Sequence, residues 1–490
     1  MPGNGGPPPP TPSPPSPASP ASPARRARPA RVGLVAGGLG EYWPQFPGLR
    51  AELERMTAAL SDRLRADGAE VVDGGFVSDA AEATAAAERL RASRCDLVLD
   101  YLATYQTATM IVPVVQRCGA PVVFVTLQPG PAMDHATIDT GRWLSYCGSC
   151  ALPEAGNTVT RLGLPFRSVA GHLGDDRAWA RIGGWTGAAA VAAGLRDGRH
   201  GLLGHLYPGM YDVATDITTV PARFGGHVEI LELDDVTARL PGPGADVDEV
   251  VTRARETFEI DESVRADDLL WSARLAVALR RLVADFALDS LAYYHRGLDG
   301  NENERVAAGL ILGASLLTAD GIPVCGEFEL RTSLAMLLLE RLGAGGAFTE
   351  MQALDFTAGV VEMGHDGPGH LAVSDGRPVL RGLGVYHGKR GAGVSVEFDV
   401  RHGPATLLGV SAGPDGRPGL VAAEGEVVGG PHMRIGNTTS RVDFGRDPGE
   451  WCEAWSGSGV GHHWALGTGH QVSRLRQVAD LLGLELAVVR

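Results

Sequence analysis

From Val32 onward, short apolar runs alternate with stretches of helical period. Val32–Ala36, Glu70–Asp73, Leu97–Asp100 and Pro121–Leu127 read as strands, with helices over Leu49–Arg65, Ala80–Ala92 and Thr107–Arg117 between them. An irregular polar stretch, Pro129–Ala151, precedes a strand near Ser168–His172 and an Ala-rich helix, Asp175–Leu195. This alternation predicts a parallel α/β sheet. Arg196–Gly201 marks a boundary, and the pattern then repeats. Strands are expected at Leu202–Leu206, Val228–Leu233, Ser290–Tyr294 and Ile322–Cys325, and helices near Val247–Thr257, Ala266–Asp285, Glu302–Leu317 and Arg331–Leu342. Leu334, Leu337, Leu338 and Leu342 fall on one face of the last helix. After Gly343 the texture changes to short runs punctuated by glycine: His370–Val373, Val379–Leu383, Val394–Val400, Thr406–Ser411, Leu420–Val428 and Ser440–Phe444. One helix, Val472–Leu482, follows. Such spacing predicts an antiparallel sheet or barrel.

Composition narrows the chemistry. The length of 490 residues fits about three domains. Residues 1–29 are a Pro-, Ser- and Ala-rich tail that cannot offset its ordering entropy and is expected to be disordered. It has no apolar core that would make it a secretory signal. The net charge of −15 argues against a nucleic-acid partner, because a phosphate-binding surface needs excess positive charge. The longest apolar run, near Val306–Thr318, is interrupted by Gly309 and Gly313, so no membrane span is expected. Lys389 is the single lysine, in a Gly-rich turn, which argues against Schiff-base chemistry. Six cysteines are too sparse for a disulfide framework, and a cytoplasmic protein with reduced thiols is expected. Cys147-x-x-Cys150 is open to a redox reading or to half of a zinc site, though no second such pair follows and two ordinary thiols are the simpler reading.

The candidate chemistry lies in the last third. Glu327 follows a strand and precedes a helix, the place where open α/β sheets bind ligands. It could equally be a helix N-terminal acid stabilised by the dipole. Glu350, His365 and the pair His462-His463 each sit among glycines. Each taken singly is most simply a solvated loop residue. Two carboxylates and two imidazoles in Gly-rich loops together suit a six-coordinate divalent ion: manganese best, with cobalt or magnesium open. Such an ion would polarise a substrate oxygen while a carboxylate moves a proton.

These residues carry a resemblance. Gly326-Glu327-Phe328-Glu329-Leu330-Arg331-Thr332 resembles the G-E-x-D-W-K-T segment of the L-arabinose isomerase group in the arabinose/fucose isomerase superfamily. Phe348-Thr349-Glu350, Gly364-His365 and Gly461-His462-His463 resemble its F-x-E, G-S-H and G-A-H-H elements, in the same order. The resemblance implies two Rossmann-like parallel α/β domains, residues 30–197 and 198–345, followed by a C-terminal antiparallel β-barrel-like domain, residues 346–490. It implies manganese-dependent interconversion of an aldose and a ketose. Glu327 and Glu350 would be both metal ligands and proton carriers, and His365 and His463 would complete the coordination. A homo-oligomer, hexamer or tetramer, is implied as well. The family's Gln-His segment facing the sugar is replaced here by Gly40-Glu41-Tyr42-Trp43-Pro44-Gln45, with Gln45 as stand-in. The stretch from Glu327 to Glu350 is also shorter than in the family. His135, Met210 and Tyr294 are the other candidate sugar contacts. Two other functions compete. A nucleotide-dependent oxidoreductase could use Gly37-Gly38-x-Gly40, but the spacing is not G-x-G-x-x-G and Asp73 lies too far downstream. A non-catalytic sugar-binding protein needs no quartet and leaves the β-rich third unexplained.

Overall fold

The computed structural model describes residues 28–296, 301–386, 389–431 and 433–490. Most of the Pro-rich tail expected to be disordered, residues 1–27, lies outside them. Five strands, β1 (Arg31–Gly37), β2 (Glu70–Val77), β3 (Leu97–Leu102), β4 (Val122–Gln128) and β5 (Ser168–His172), form a parallel sheet ordered β2-β1-β3-β4-β5. All six residues of β3 are buried, as expected for a central strand covered on both faces. The stretch expected to be irregular contains helix Thr140–Leu144 and the start of helix Gly148–Arg161. Pro153 and two glycines hide that second helix from propensity. Tertiary packing of Ala151, Ala155 and Val159 holds it.

A second parallel sheet has the order β10-β9-β6-β7, from β6 (Arg199–Gly204), β7 (His227–Leu231), β9 (Ser290–Tyr294) and β10 (Val324–Cys325). The expected helix Glu302–Leu317 is two helices, Glu302–Gly309 and Ile311–Ala319. A short strand from this region, β8 (Glu259–Ile260), leaves to join the third sheet.

That third sheet adds β11 (Ala347–Asp355), β12 (Val360–Asp366), β13 (Val379–Gly382), β16 (Val394–Asp399), β17 (Gly403–Ala412), β18 (Pro418–Val427), β19 (Asn437–Asp443), β20 (His463–Thr468) and β21 (Leu486–Val489). Val385–Tyr386 (β14) and Lys389–Arg390 (β15) form a separate two-stranded ribbon. The ten-stranded sheet is mixed, not purely antiparallel. The pairs β8–β13, β16–β19 and β18–β21 run parallel. Six strands, in the order β18-β17-β20-β11-β12-β19, are antiparallel, and β19 pairs back to β18 through Glu426–Asp443 and Val427–Val442. The segment expected as strand His370–Val373 is a short 3-10 turn, Leu371–Val373. Helix Pro448–Gly457, an element with no expectation in the sequence, stacks Trp451 on Phe444 at 3.8 Å and beside Trp455 at 5.4 Å.

One helix joins the second and third sheets. The helix expected over Arg331–Leu342, with leucines on one face, spans Leu330–Arg341, and all ten residues from Leu330 to Leu339 are buried. It packs on β9 on one side and on β17 and β20 on the other. A helix covered all round is an internal element. Its leucines 330, 334, 337, 338 and 339 each contribute about 1.5–3 kcal/mol by burial. This wedge carries the Glu327 segment against the end of β20.

Candidate functional site

The site begins with a strained turn. After β10, Glu327 and Phe328 adopt φ values of +58° and +61°, a left-handed pair without glycine. Each residue costs about 1–2 kcal/mol there. Such strain persists only where the surroundings over-determine it. Here the Phe328 N–H donates to the Tyr293 carbonyl at 3.2 Å, and the buried helix begins at Leu330. The turn aims Glu327 at His463, with Oε2 3.4 Å from Nε2.

The other three residues of the quartet are on strands, not in the Gly-rich loops expected of them. Glu350 lies in β11, His365 in β12, and His463 opens β20. Antiparallel register places Glu350 opposite both Gly364 and His463. Three neighbouring strands thus present their side chains at one end. Glu350, His365 and His463 offer ligand atoms that lie within 4.8 Å of one another. Glu327, His462 and His463 form a second such group, so His463 is shared. Phe348, fully buried, backs both imidazoles, with ring centroids 4.1 Å from His365 and 4.8 Å from His463.

Burial and neighbouring groups shift the ionisation of these side chains. Burial pushes Glu327 up to about 7, against the pull of His365 and His462. Glu329 is likewise pushed up to about 7, with Arg331 opposing. Burial also works against charging His365, but the Asp366 carbonyl and carboxylate beside Nδ1 outweigh it and raise the ring to about 9. Burial and the neighbouring imidazoles hold His463 well below its usual range. A neutral His463 carries one N–H. Its Nδ1 lies 2.7 Å from Glu329 Oε2, so the N–H belongs there and Nε2 keeps its lone pair. That Nε2 and Glu327 Oε2 are buried without a hydrogen-bond partner. Two orphaned acceptors facing one another at 3.4 Å, with Glu350 Oε2 at 3.9 Å from the same nitrogen, fit a shared cation.

Several contributors had no separate signal in the sequence. Glu329 stands inside the motif, but only the fold turns it onto the far nitrogen of His463. Asp212, in the short turn Tyr211–Val213, accepts from the His462 backbone N–H at 3.0 Å and lies 2.5 Å from its Nδ1. His370 is not part of the cluster: it is buried and bonded to Glu340 at 2.7 Å.

A cleft of about 360 Å³ opens beside Glu350, walled by Met351, Trp455 and Trp464 and by Asp212 and His462. Met210, half-buried, precedes the Asp212 turn, and Tyr294, buried, packs on Tyr207 at 4.6 Å, with burial as the main push that raises its hydroxyl. Gln45 and His135 lie in the first α/β unit. Gln45 lines a different cleft, with Phe46, Glu52, Asp139 and Arg142, and His135 is exposed. Gly38 of the glycine run is filled in: a Cβ there would meet Thr104 at 2.3 Å and Trp43 at 3.0 Å.

No protein-family model matches the chain. It is similar to the L-arabinose isomerase of Nocardioides sp., 26% identical over 427 residues, covering 81% of this chain and 80% of that protein. Similarity to the L-arabinose isomerase of Mycolicibacterium smegmatis is also 26%, over 411 residues and 80% of each chain. A sulfoquinovose isomerase of Alkalicoccus urumqiensis is 25% identical over 295 residues, 59% of this chain and 64% of that one. The resemblance read from four short motifs therefore extends along most of the sequence.

Proposed function

We propose that this arabinose isomerase-like chain is a metal-dependent aldose–ketose isomerase. The carrying observation is the convergence of Glu327, Glu350, His365 and His463, with buried acceptor atoms of Glu327 and His463 left unpaired. The similarity to proteins named as sugar isomerases supports the reaction class. Carboxylate and imidazole donors favour manganese, with cobalt or magnesium as substitutes. When bound, the ion would polarise the sugar oxygens at C1 and C2.

The chain's own residues do the rest. Glu329 fixes the tautomer of His463 and so keeps Nε2 available. Glu350 faces the cleft and is the better placed to take a proton from C2. Glu327 lies deeper, with Oε2 3.4 Å from His463 Nε2. The two carboxyls share the transfer from C2 to C1. The tryptophan wall of the cleft excludes water from one side of the bound sugar. Met210 and Tyr294 are contacts from the same protomer. Gln45 and His135 belong to a separate surface, which a neighbouring protomer in a homo-oligomer would present. On this reading the domains divide near residues 197 and 345, and the six-strand ring is the barrel-like part of the last.

The test is to strip the purified protein with chelator, restore manganese, and screen aldopentoses, aldohexoses and 6-deoxy sugars for ketose formation, beside Glu350→Gln. Manganese-dependent turnover that falls by about 10²–10⁴ in the variant is expected. Sugar binding that survives Glu350→Gln, with no ketose formed by the wild type from any sugar, would mean a binding protein instead.

A further inference from the structure

Cys147-x-x-Cys150 takes no part in the chemistry above, and its geometry differs from that of the other cysteines. Cys118 and Cys325 direct their thiols to backbone carbonyls, of Ala120 at 3.3 Å and Glu329 at 3.2 Å. The Cys147 thiol instead donates to the Cys150 sulfur at 3.2 Å. Cys147 is buried at the residue preceding the 14-residue helix Gly148–Arg161, while Cys150, in its first turn, is exposed. The Cys150 N–H donates to the Cys147 carbonyl at 3.1 Å, which closes the turn. Gly148 between them is clamped: a Cβ there would lie 2.1 Å from the Leu102 carbonyl and 2.6 Å from Thr126 Oγ1. The backbone of the turn is therefore fixed against the ends of β3 and β4. A disulfide would bring the sulfurs from 3.2 Å to the bonded distance of about 2.05 Å. A zinc site would need further donors. Among the described residues, the groups of three or more ligand-type side chains all lie at the Glu327–His463 cluster, so none stands beside this pair.

We propose that Cys147 and Cys150 are a reversible dithiol–disulfide couple, oxidised by the disulfide of a low-molecular-weight thiol. The exposed Cys150 thiolate attacks one sulfur of the small disulfide, and the first thiolate leaves. Cys147 attacks the Cys150 sulfur of the mixed disulfide, and the second thiolate leaves with the Cys147 proton. Both leaving thiolates take up the protons released. Two protein S–H groups and one small disulfide become one protein disulfide and two small thiols. The asymmetry of exposure decides the order: only Cys150 is reachable from solvent, and only Cys147 is held within contact to resolve it.

The test equilibrates the full-length protein in glutathione buffers of rising oxidised fraction, then alkylates, digests with trypsin and weighs the peptides. Both cysteines fall in one tryptic peptide, residues 143–161. In the wild type this peptide should lose two hydrogens and escape alkylation, reversibly, while Cys95, Cys118 and Cys325 stay free. C147S should stop at a glutathione adduct on Cys150, and C150S should leave Cys147 free. The proposal is overturned by a wild-type peptide that stays fully alkylated at the most oxidising ratio, by one that stops at the glutathione adduct, or by zinc co-purifying with the pair. Should either variant fail to fold by circular dichroism, the mass of the wild-type peptide decides the matter alone.

Discussion

The two parallel sheets have the same construction, and each buries acid near the ends of its strands, yet only one builds a convergent cluster. In the first, Asp100 lies within β3, 1% exposed, with Oδ2 unpartnered. Burial pushes its carboxyl up to about 7, and Gln106 offers the main opposing bond. Among the described residues, no imidazole joins it in a group of three or more ligand-type side chains. In the second, Glu327 and Glu329 are raised to a similar degree, but one faces His463 Nε2 and the other His463 Nδ1. The difference is what lies beyond the strand ends. The buried helix Leu330–Arg341 packs the second sheet against β17, β20 and β11 of the third. A raised carboxyl pKa is thus a mark of burial, and becomes a mark of chemistry only where other donors converge on it.

The sharpest break of this comparison is Glu327→Gln, which should lower isomerase turnover by about 10²–10⁴ with the fold intact, as read by steady-state assay and circular dichroism. Unchanged turnover would put Glu327 in the same structural class as Asp100. Next comes the wedge: Leu334→Ala should cost about 2–5 kcal/mol in urea unfolding and also weaken manganese binding. Leu99→Ala, in the first sheet, should cost as much stability and leave manganese binding alone; equal effects on the metal would remove the distinction between the sheets. Glu329→Gln should weaken manganese affinity by about 10–100-fold in a calorimetric titration, because the tautomer of His463 is no longer fixed.

The effect furthest from the site concerns pH. Asp100 has a folded pKa near 7, above the unfolded value of about 3.9. The folded state therefore binds the extra proton between these limits. The stability this contributes is complete below about pH 4 and is lost as pH rises through about 7, with a slope of at most about 1.4 kcal/mol per pH unit. Asp100→Asn, with no proton to lose, should flatten the urea-unfolding profile between pH 5 and 8. Parallel profiles for variant and wild type would show that Asp100 is not a solitary buried acid.

Much of the fold was legible because it is written in local periods. The alternation from Val32 to Leu342 follows from apolar spacing, and a strand such as Leu97–Leu102, wholly apolar but for Asp100 and Tyr101, needs no partner to be recognised. The side chains that the fold brings together could be named as candidates for a different reason: carboxylates and imidazoles near glycine, in a set order, form short motifs. The strands that carry three of them were not legible. Ala347–Asp355 is covered on both faces at its start and only partly further on, so no period of two appears. The helix Leu330–Arg341 shows the same limit, since a one-sided leucine pattern cannot reveal that its other faces are covered too.

The sequence by itself determined which elements could form and which residue types could share a metal. Both are properties of neighbours along the chain. The tertiary structure alone decided that Glu350 stands opposite His463, that Glu329 holds the far side of that ring, and that Asp212 ties down His462. These pairs are separated by more than a hundred residues, and strand register and packing around one buried helix, not spacing, bring them within bonding distance.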